Sequence, residues 1–157
     1  NMGNASDHLF TDKYDRYLVT LSMTGSTSNS ESIQTRLIDS SGNAISDSEY
    51  ANASYNMFGH ASFGEERGNS DSAIYNLFGT YDNIPEGLDA TVIIDNPADA
   101  SCFTYLHGVA SNSFNGNYKA HYSVSVHKSA EQIIGIQFFV TNTDYFRNAK
   151  FKVYGVK

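Results

Sequence analysis

Apolar and polar residues alternate along much of this 157-residue chain. The stretch YLVTLSM at 17–23 is typical, because its apolar side chains at Tyr17, Val19, Leu21 and Met23 occupy every second position. A period of two residues predicts a β-strand with one face toward a core. The sequence also predicts strands at 33–38, 88–95, 118–126 and 134–140.

Other segments predict strands or turns with a weaker pattern. Further strands are expected at 50–58, 73–78, 102–109 and 151–155. The segment 58–70 holds three glycines among polar residues, which predicts a loop or a broken strand. Turns are expected at 39–43, at 81–87 around Pro85, and at Asn115-Gly116 within a loop at 111–117. No segment predicts a helix longer than a turn or two.

This arrangement indicates an all-β fold. Eight to ten strands separated by turns favour an antiparallel two-sheet β-sandwich, jelly-roll-like, over a parallel sheet. The length fits one domain over residues 1–157, with 1–9 as a flexible or linking N-terminal segment.

Charge and the length of the apolar runs argue against two classes of partner, nucleic acid and membrane. The formal net charge is −7, and the ten Lys and Arg residues are spread along the chain rather than clustered. A nucleic-acid partner is therefore not expected. No apolar run approaches the roughly 20 residues of a membrane span, so membrane insertion is not expected either.

The sequence lacks motifs for catalysis, cofactors or metals. It has no GxSxG, Walker A, HExxH or CxxC pattern, and the adjacent Glu65 and Glu66 would point apart on a strand. His121 and His127 share a strand face but would lie about 20 Å apart, although His107 could approach either across strands. We therefore predict a non-enzymatic protein without a metal or cofactor. Calcium stays open at Asp39, Asp47 and Glu49, or at Asp95 and Asp99.

Two features of the side-chain content bear on binding. Cys102 is the one cysteine and is expected to be a small buried hydrophobe. The chain has 11 Tyr and 10 Phe but no Trp, and rings beside amide side chains can hold a sugar. Candidate glycan contacts are Tyr75, Tyr81, Tyr105, Asn112 and Asn115. The alternative is that most of these rings belong to the core or to an interface.

Both ends of the chain resemble the tail, fibre and neck-appendage proteins of bacteriophages. The resemblance rests on YDRYLV at 14–19, a strand at 33–37 with Arg36, the turn glycine Gly42, and KVYGVK at 152–157. It implies a β-sandwich virion protein that acts as a fibre, tail appendage or capsid decoration. It further implies a homotrimer that contacts other virion proteins, assembles in the host cytoplasm, and binds a host surface glycan. It carries no catalytic residues.

Two other functions remain open. A cellular lectin-like carbohydrate-binding domain would be a monomer that binds sugar through Tyr and Asn, whereas a surface-filament subunit would polymerise. An enzyme acting on polysaccharide would need a carboxylate pair, which the sequence does not reveal.

Overall fold

A computed structural model describes residues 8–24, 31–59, 63–75, 77–78, 80–81, 87–114, 117–140 and 148–157. These residues form β-strands and contain no helix, so the predicted all-β class is confirmed. The described residues therefore contain no membrane-spanning helix. The strands are β1 (Arg16–Met23), β2 (Glu31–Asp39), β3 (Tyr50–Phe58), β4 (Phe63–Asp71), β5 (Thr80–Tyr81), β6 (Leu88–Asp95), β7 (Thr104–Phe114), β8 (Asn117–His127), β9 (Ile133–Val140) and β10 (Lys150–Val156).

The strands form two antiparallel sheets. The larger sheet has seven strands in the order β10-β1-β6-β7-β8-β3-β4, and the smaller has the order β5-β2-β9. In the smaller sheet β2 and β9 pair over most of their length, whereas β5 contributes two residues at the start of β2. The chain passes between sheets six times, but the division into seven and three strands does not confirm a jelly roll.

The apolar core lies between the two sheets. The alternate residues of β1 are buried, as the sequence predicted, and they belong to one cluster with apolar residues of β2, β6 and β9. The N-terminal end joins this core, because Phe10 is fully buried and the backbone N–H groups of Leu9 and Phe10 donate to Ile134 O. The end of the predicted linking segment is thus packed; its residues 1–7 lie outside the described residues.

Three segments differ from the sequence expectations. The described part of 58–70, expected to be a loop or a broken strand, lies mostly in the edge strand β4, whose polar side chains suit a strand with one neighbour. The described residues of 73–78, expected to be a strand, make one bridge, between Ile74 and Thr35. The side chains of Ala73, Ile74, Leu77 and Phe78 are nevertheless fully buried, so this segment packs between the sheets. The predicted loop at 111–117 is mostly strand, since β7 continues to Phe114 and β8 begins at Asn117.

Strands β3 and β8 have an inverted polarity. In the seven-stranded sheet, the inward side chains of these strands are mostly polar, whereas their outward side chains are mostly apolar. The inward set beyond Tyr50 is Asn52, Ser54, Asn56, Lys119, His121, Ser123, Ser125 and His127. An antiparallel sheet with one solvated face usually has the opposite pattern.

Hydrogen bonds satisfy some of these buried polar side chains, and also Asn112 of the neighbouring strand β7. His121 Nδ1 lies 2.6 Å from Asn56 Oδ1. Ser123 Oγ donates to Leu77 O at 2.9 Å, and Asn112 Nδ2 donates to Phe78 O at 3.3 Å. The segment around Leu77 therefore supplies backbone acceptors to the polar part of the sheet.

Lys119 provides a test of this polar interior through the pH dependence of stability. Its ammonium group lies over the Phe58 ring, and burial lowers the pKa of Lys119 below 10.5, although Glu66 opposes the shift. Between the folded pKa and 10.5 the unfolded chain binds more protons, so stability should rise with pH across that window. The free energy of unfolding of the wild type should therefore increase relative to that of Lys119→Met as pH rises from 7 toward 10. If urea unfolding shows the same difference in free energy between the two proteins at every pH in this range, the prediction is wrong.

Candidate binding surface on the seven-stranded sheet

Exposed hydrophobic side chains concentrate on the outer face of the seven-stranded sheet, which is the face turned away from β5-β2-β9. Ten large hydrophobic side chains are exposed among the described residues, and nine of them lie on this face. Phe63 is 65% exposed and Tyr118 is 84% exposed. The other seven are Tyr55, Met57, Tyr105, Val109, Tyr122, Tyr154 and Val156. Exposed apolar side chains concentrated on one face of a protein indicate an interaction site.

Half of the outer face is a ridge of large side chains. The strands β8, β3 and β4 contribute Tyr122, Tyr55, Met57 and Phe63, and the register places Met57 opposite Phe63. The Tyr55 and Phe63 rings stack with centroids 5.2 Å apart and planes 20° from parallel. We call these four residues the ridge.

A groove lies beside the ridge on the outer face. Here parts of β1, β6 and β7 present mostly small side chains, beside Lys150 and Lys152 of the edge strand β10. The groove has a volume of about 560 Å³. Its outward small residues include Thr20, Ser22, Thr91, Ser111 and Ala120.

A polar pocket lies at the end of the same face. Arg16 Nε donates to Asp95 Oδ1, and His107 Nε2 lies 3.3 Å from Asp95 Oδ2. Tyr105 lines this pocket of about 540 Å³ beside them. An exposed ring next to charged hydrogen-bonding groups can bind a polar organic molecule.

The predicted glycan contacts do not come together in one site. Tyr105 lies on the outer face, whereas Asn112 of the same strand is buried on the inner face. Tyr75 lies in the segment between the sheets, half-buried, with its hydroxyl 3.3 Å from Ser72 Oγ. Tyr81 belongs to β5 by its backbone, but its side chain lies outside the described residues, as does Asn115.

The structure also places the histidines and carboxylates that the sequence offered as metal or catalytic candidates. His107 lies on the outer face, so it cannot approach His121 or His127 on the inner face as the sequence suggested. Asp39 and Asp99 accept hydrogen bonds from neighbouring turn residues, at Ser41 and Ser101. Glu65 and Glu66 point to opposite faces of β4, as predicted, but in a strand rather than a loop.

Among the calcium candidates, Glu49 lies close to two other potential metal ligands. It lies beside His127 and Glu131, and the ligand atoms of these three residues are within 4.8 Å of one another. Burial lowers the pKa of His127, while the carboxylates of Glu131, Glu49 and Asp47 act in the opposite direction. The strand register that joins these residues cannot be obtained from sequence spacing.

Cys102 is not in a strand, contrary to expectation. It is half-buried in the turn before β7, and its Sγ lies 3.9 Å from Asp99 O. Burial raises the pKa of the Cys102 thiol, and the Asp99 carboxylate adds to the shift. A raised pKa disfavours the thiolate, so the site does not favour a nucleophilic cysteine.

Comparison with known proteins adds no assignment. No family model, curated protein or solved structure matches this chain.

Proposed function

We propose that the chain is a non-enzymatic structural module of a phage virion, which associates with further copies of itself through the outer face of the seven-stranded sheet. The concentration of nine exposed hydrophobic side chains on that face carries the proposal. The virion setting rests on the resemblance of the two chain ends to phage fibre, tail and neck-appendage proteins. Other virion proteins would be further partners, as in a fibre, a tail appendage or a capsid decoration.

The shape of this face supports association with a second copy. The ridge and the groove lie side by side on one surface, so the ridge of one copy can enter the groove of another. If each ridge enters the groove of the same partner, a two-fold pair results; if it enters the next copy's groove, a closed ring results. The predicted homotrimer is a ring of the second kind.

Charge supports the same contact. One outer-face row runs Lys152, Thr20, Thr91, Val109, Tyr122, Tyr55, Glu65 across the seven strands. Its ends carry opposite charges, and its centre is apolar or small. Placing the ridge against the groove brings Glu65 of one copy toward Lys152 of another, which favours association over repulsion.

Light scattering coupled to size exclusion tests the proposal. The wild type should have the mass of a trimer or of a pair, and Tyr55→Ser combined with Phe63→Ser should convert it to a monomer. Each central aromatic residue of an interface can contribute about 2 kcal/mol or more, so the double variant should weaken association by several hundred-fold or more.

Phe103→Ser is the matched control. Phe103 is also exposed, but it lies before the start of β7 and outside the strands of the sheet. Its replacement should therefore leave the mass unchanged. A monomeric wild type, or an oligomer that the ridge variant leaves intact, would contradict self-association.

A lectin-like activity is the second candidate, and the pocket beside Tyr105 favours it. The ring could stack on a sugar while Arg16, Asp95 and His107 bond its hydroxyls. A glycan array should then show binding that Tyr105→Ala abolishes and Tyr118→Ala preserves, because Tyr118 is exposed but does not line the pocket. Such binding by a monomer would favour the cellular alternative, whereas binding by an oligomer would fit a virion protein that attaches to a host.

A further inference from the structure

Three potential metal ligands meet at one end of the β3-β8 ladder. Glu49 precedes β3, His127 ends β8, and Glu131 lies between β8 and β9. The register places Tyr50 directly opposite His127, and the Lys128 N–H donates to Glu49 O at 2.9 Å. Backbone pairing therefore holds Glu49 beside His127.

The His127 imidazole is buried without a hydrogen bond. Its side chain is 0% exposed, and neither Nδ1 nor Nε2 has a hydrogen-bond partner in the described part of the chain. Burying a polar group without a partner is costly. Nε2 faces the two carboxylates, so a species bound between them would satisfy it.

The two distances from His127 Nε2 to the carboxylates suit coordination better than direct hydrogen bonding. Nε2 lies 3.5 Å from Glu49 Oε2 and 3.6 Å from Glu131 Oε1. An N–H···O hydrogen bond is about 2.7–3.2 Å long. A nitrogen ligand at about 2.0–2.1 Å and an oxygen ligand at about 2.0–2.2 Å on one tetrahedral zinc ion are separated by about 3.3–3.5 Å.

No basic side chain neutralises the two carboxylates. Among the described residues, the salt bridges of Glu49 and Glu131 involve His127 alone. The nearby Lys128 ammonium group donates instead to the backbone and side-chain oxygens of Asn69. The cluster thus keeps a negative charge that a cation would offset.

We propose that Glu49, His127 and Glu131 bind a divalent transition-metal ion of the zinc type. One imidazole nitrogen and two carboxylate oxygens are ordinary zinc ligands, and a water molecule can complete a tetrahedron. Calcium is disfavoured, because it takes six to eight oxygen ligands and the central ligand here is a nitrogen. The ion would join the start of β3, the end of β8 and the segment leading to β9.

Calorimetric titration with zinc chloride tests the site, using the full chain after removal of metal with a chelator. The wild type should bind one equivalent. Glu131→Gln and Glu49→Gln should each weaken zinc affinity at least tenfold, because even outer partners of a metal site contribute about 10- to 100-fold. X-ray absorption of the zinc-loaded protein should show nitrogen and oxygen neighbours at about 2.0–2.2 Å.

Glu66→Gln is the matched control, since Glu66 is an exposed carboxylate on β4 outside the cluster. It should bind zinc as the wild type does. Both test positions are partly exposed, and urea unfolding in metal-free buffer will show that each variant is folded. Absence of one-equivalent binding to the wild type, or wild-type affinity in both glutamine variants, would overturn the proposal.

Discussion

Replacing Gly108 by alanine should reduce the free energy of unfolding by about 3 kcal/mol, at the upper end of the cost of overfilling a packed core. Gly108 lies in the middle of β7 and is buried. A Cβ atom there would lie 2.5 Å from Ser123 Oγ and 2.6 Å from Leu77 O. The serine can rotate, but relieving the second contact requires moving the backbone of the segment that fills the space between the sheets.

Urea unfolding of Gly108→Ala and of Gly64→Ala measures this effect. Gly64 is also a strand glycine, but the nearest atom to its added Cβ is a Phe58 ring carbon at 3.7 Å, an ordinary contact. We expect Gly64→Ala to change stability by no more than about 0.5 kcal/mol. Equal effects at the two positions would show that the chain does not pack closely over Gly108.

Tyr50→Ala should be the most destabilising truncation of a single side chain, at about 3–5 kcal/mol. Tyr50 is fully buried, and its ring centroid lies 5.1 Å from that of His127. Its hydroxyl accepts the Leu37 N–H at 3.0 Å and donates to Ile45 O at 3.3 Å. Burial raises the pKa of Tyr50 far above that of an ordinary tyrosine, so the hydroxyl stays protonated at neutral pH.

Tyr50→Phe separates the hydrogen bonds from the packing. Removing the hydroxyl leaves two buried backbone groups without this partner, which should cost about 1–3 kcal/mol. Tyr55→Phe, on the exposed face of the same strand, should change stability by less than about 0.5 kcal/mol. If chemical denaturation finds Tyr50→Phe as stable as the wild type, the hydroxyl does not connect β3 to β2.

Alternation of apolar and polar residues predicted most strands because one face of each strand points toward the interior and the other toward solvent. It did not predict which side faces the core, and in β3 and β8 the apolar side chains point outward. For the edge strand β4 the pattern predicts only a loop or a broken strand, since β4 pairs with β3 alone and needs little apolar surface. The run at 73–78 resembles a strand in sequence because a short buried apolar segment has no distinctive period.

The candidate sites depended on strand register more than on composition. Tyr105 and Asn112 are an odd number of positions apart in one strand, so they face opposite sides. The sequence analysis had placed them in separate elements. The meeting of Glu49 with His127 follows from the pairing of Tyr50 with His127 across strands, and no motif spacing encodes that pairing.

The two edges of the large sheet bear on how copies of the chain can aggregate. An unpaired edge strand is a template for open-ended growth of a fibril. On the edge strand β4, Glu66 points toward the inner face, and Lys150 and Lys152 occupy the opposite edge strand, β10. An inward-pointing charge and exposed lysines both discourage strand addition, so an assembly through the broad face, as we propose, would stay closed rather than extend from the sheet edges.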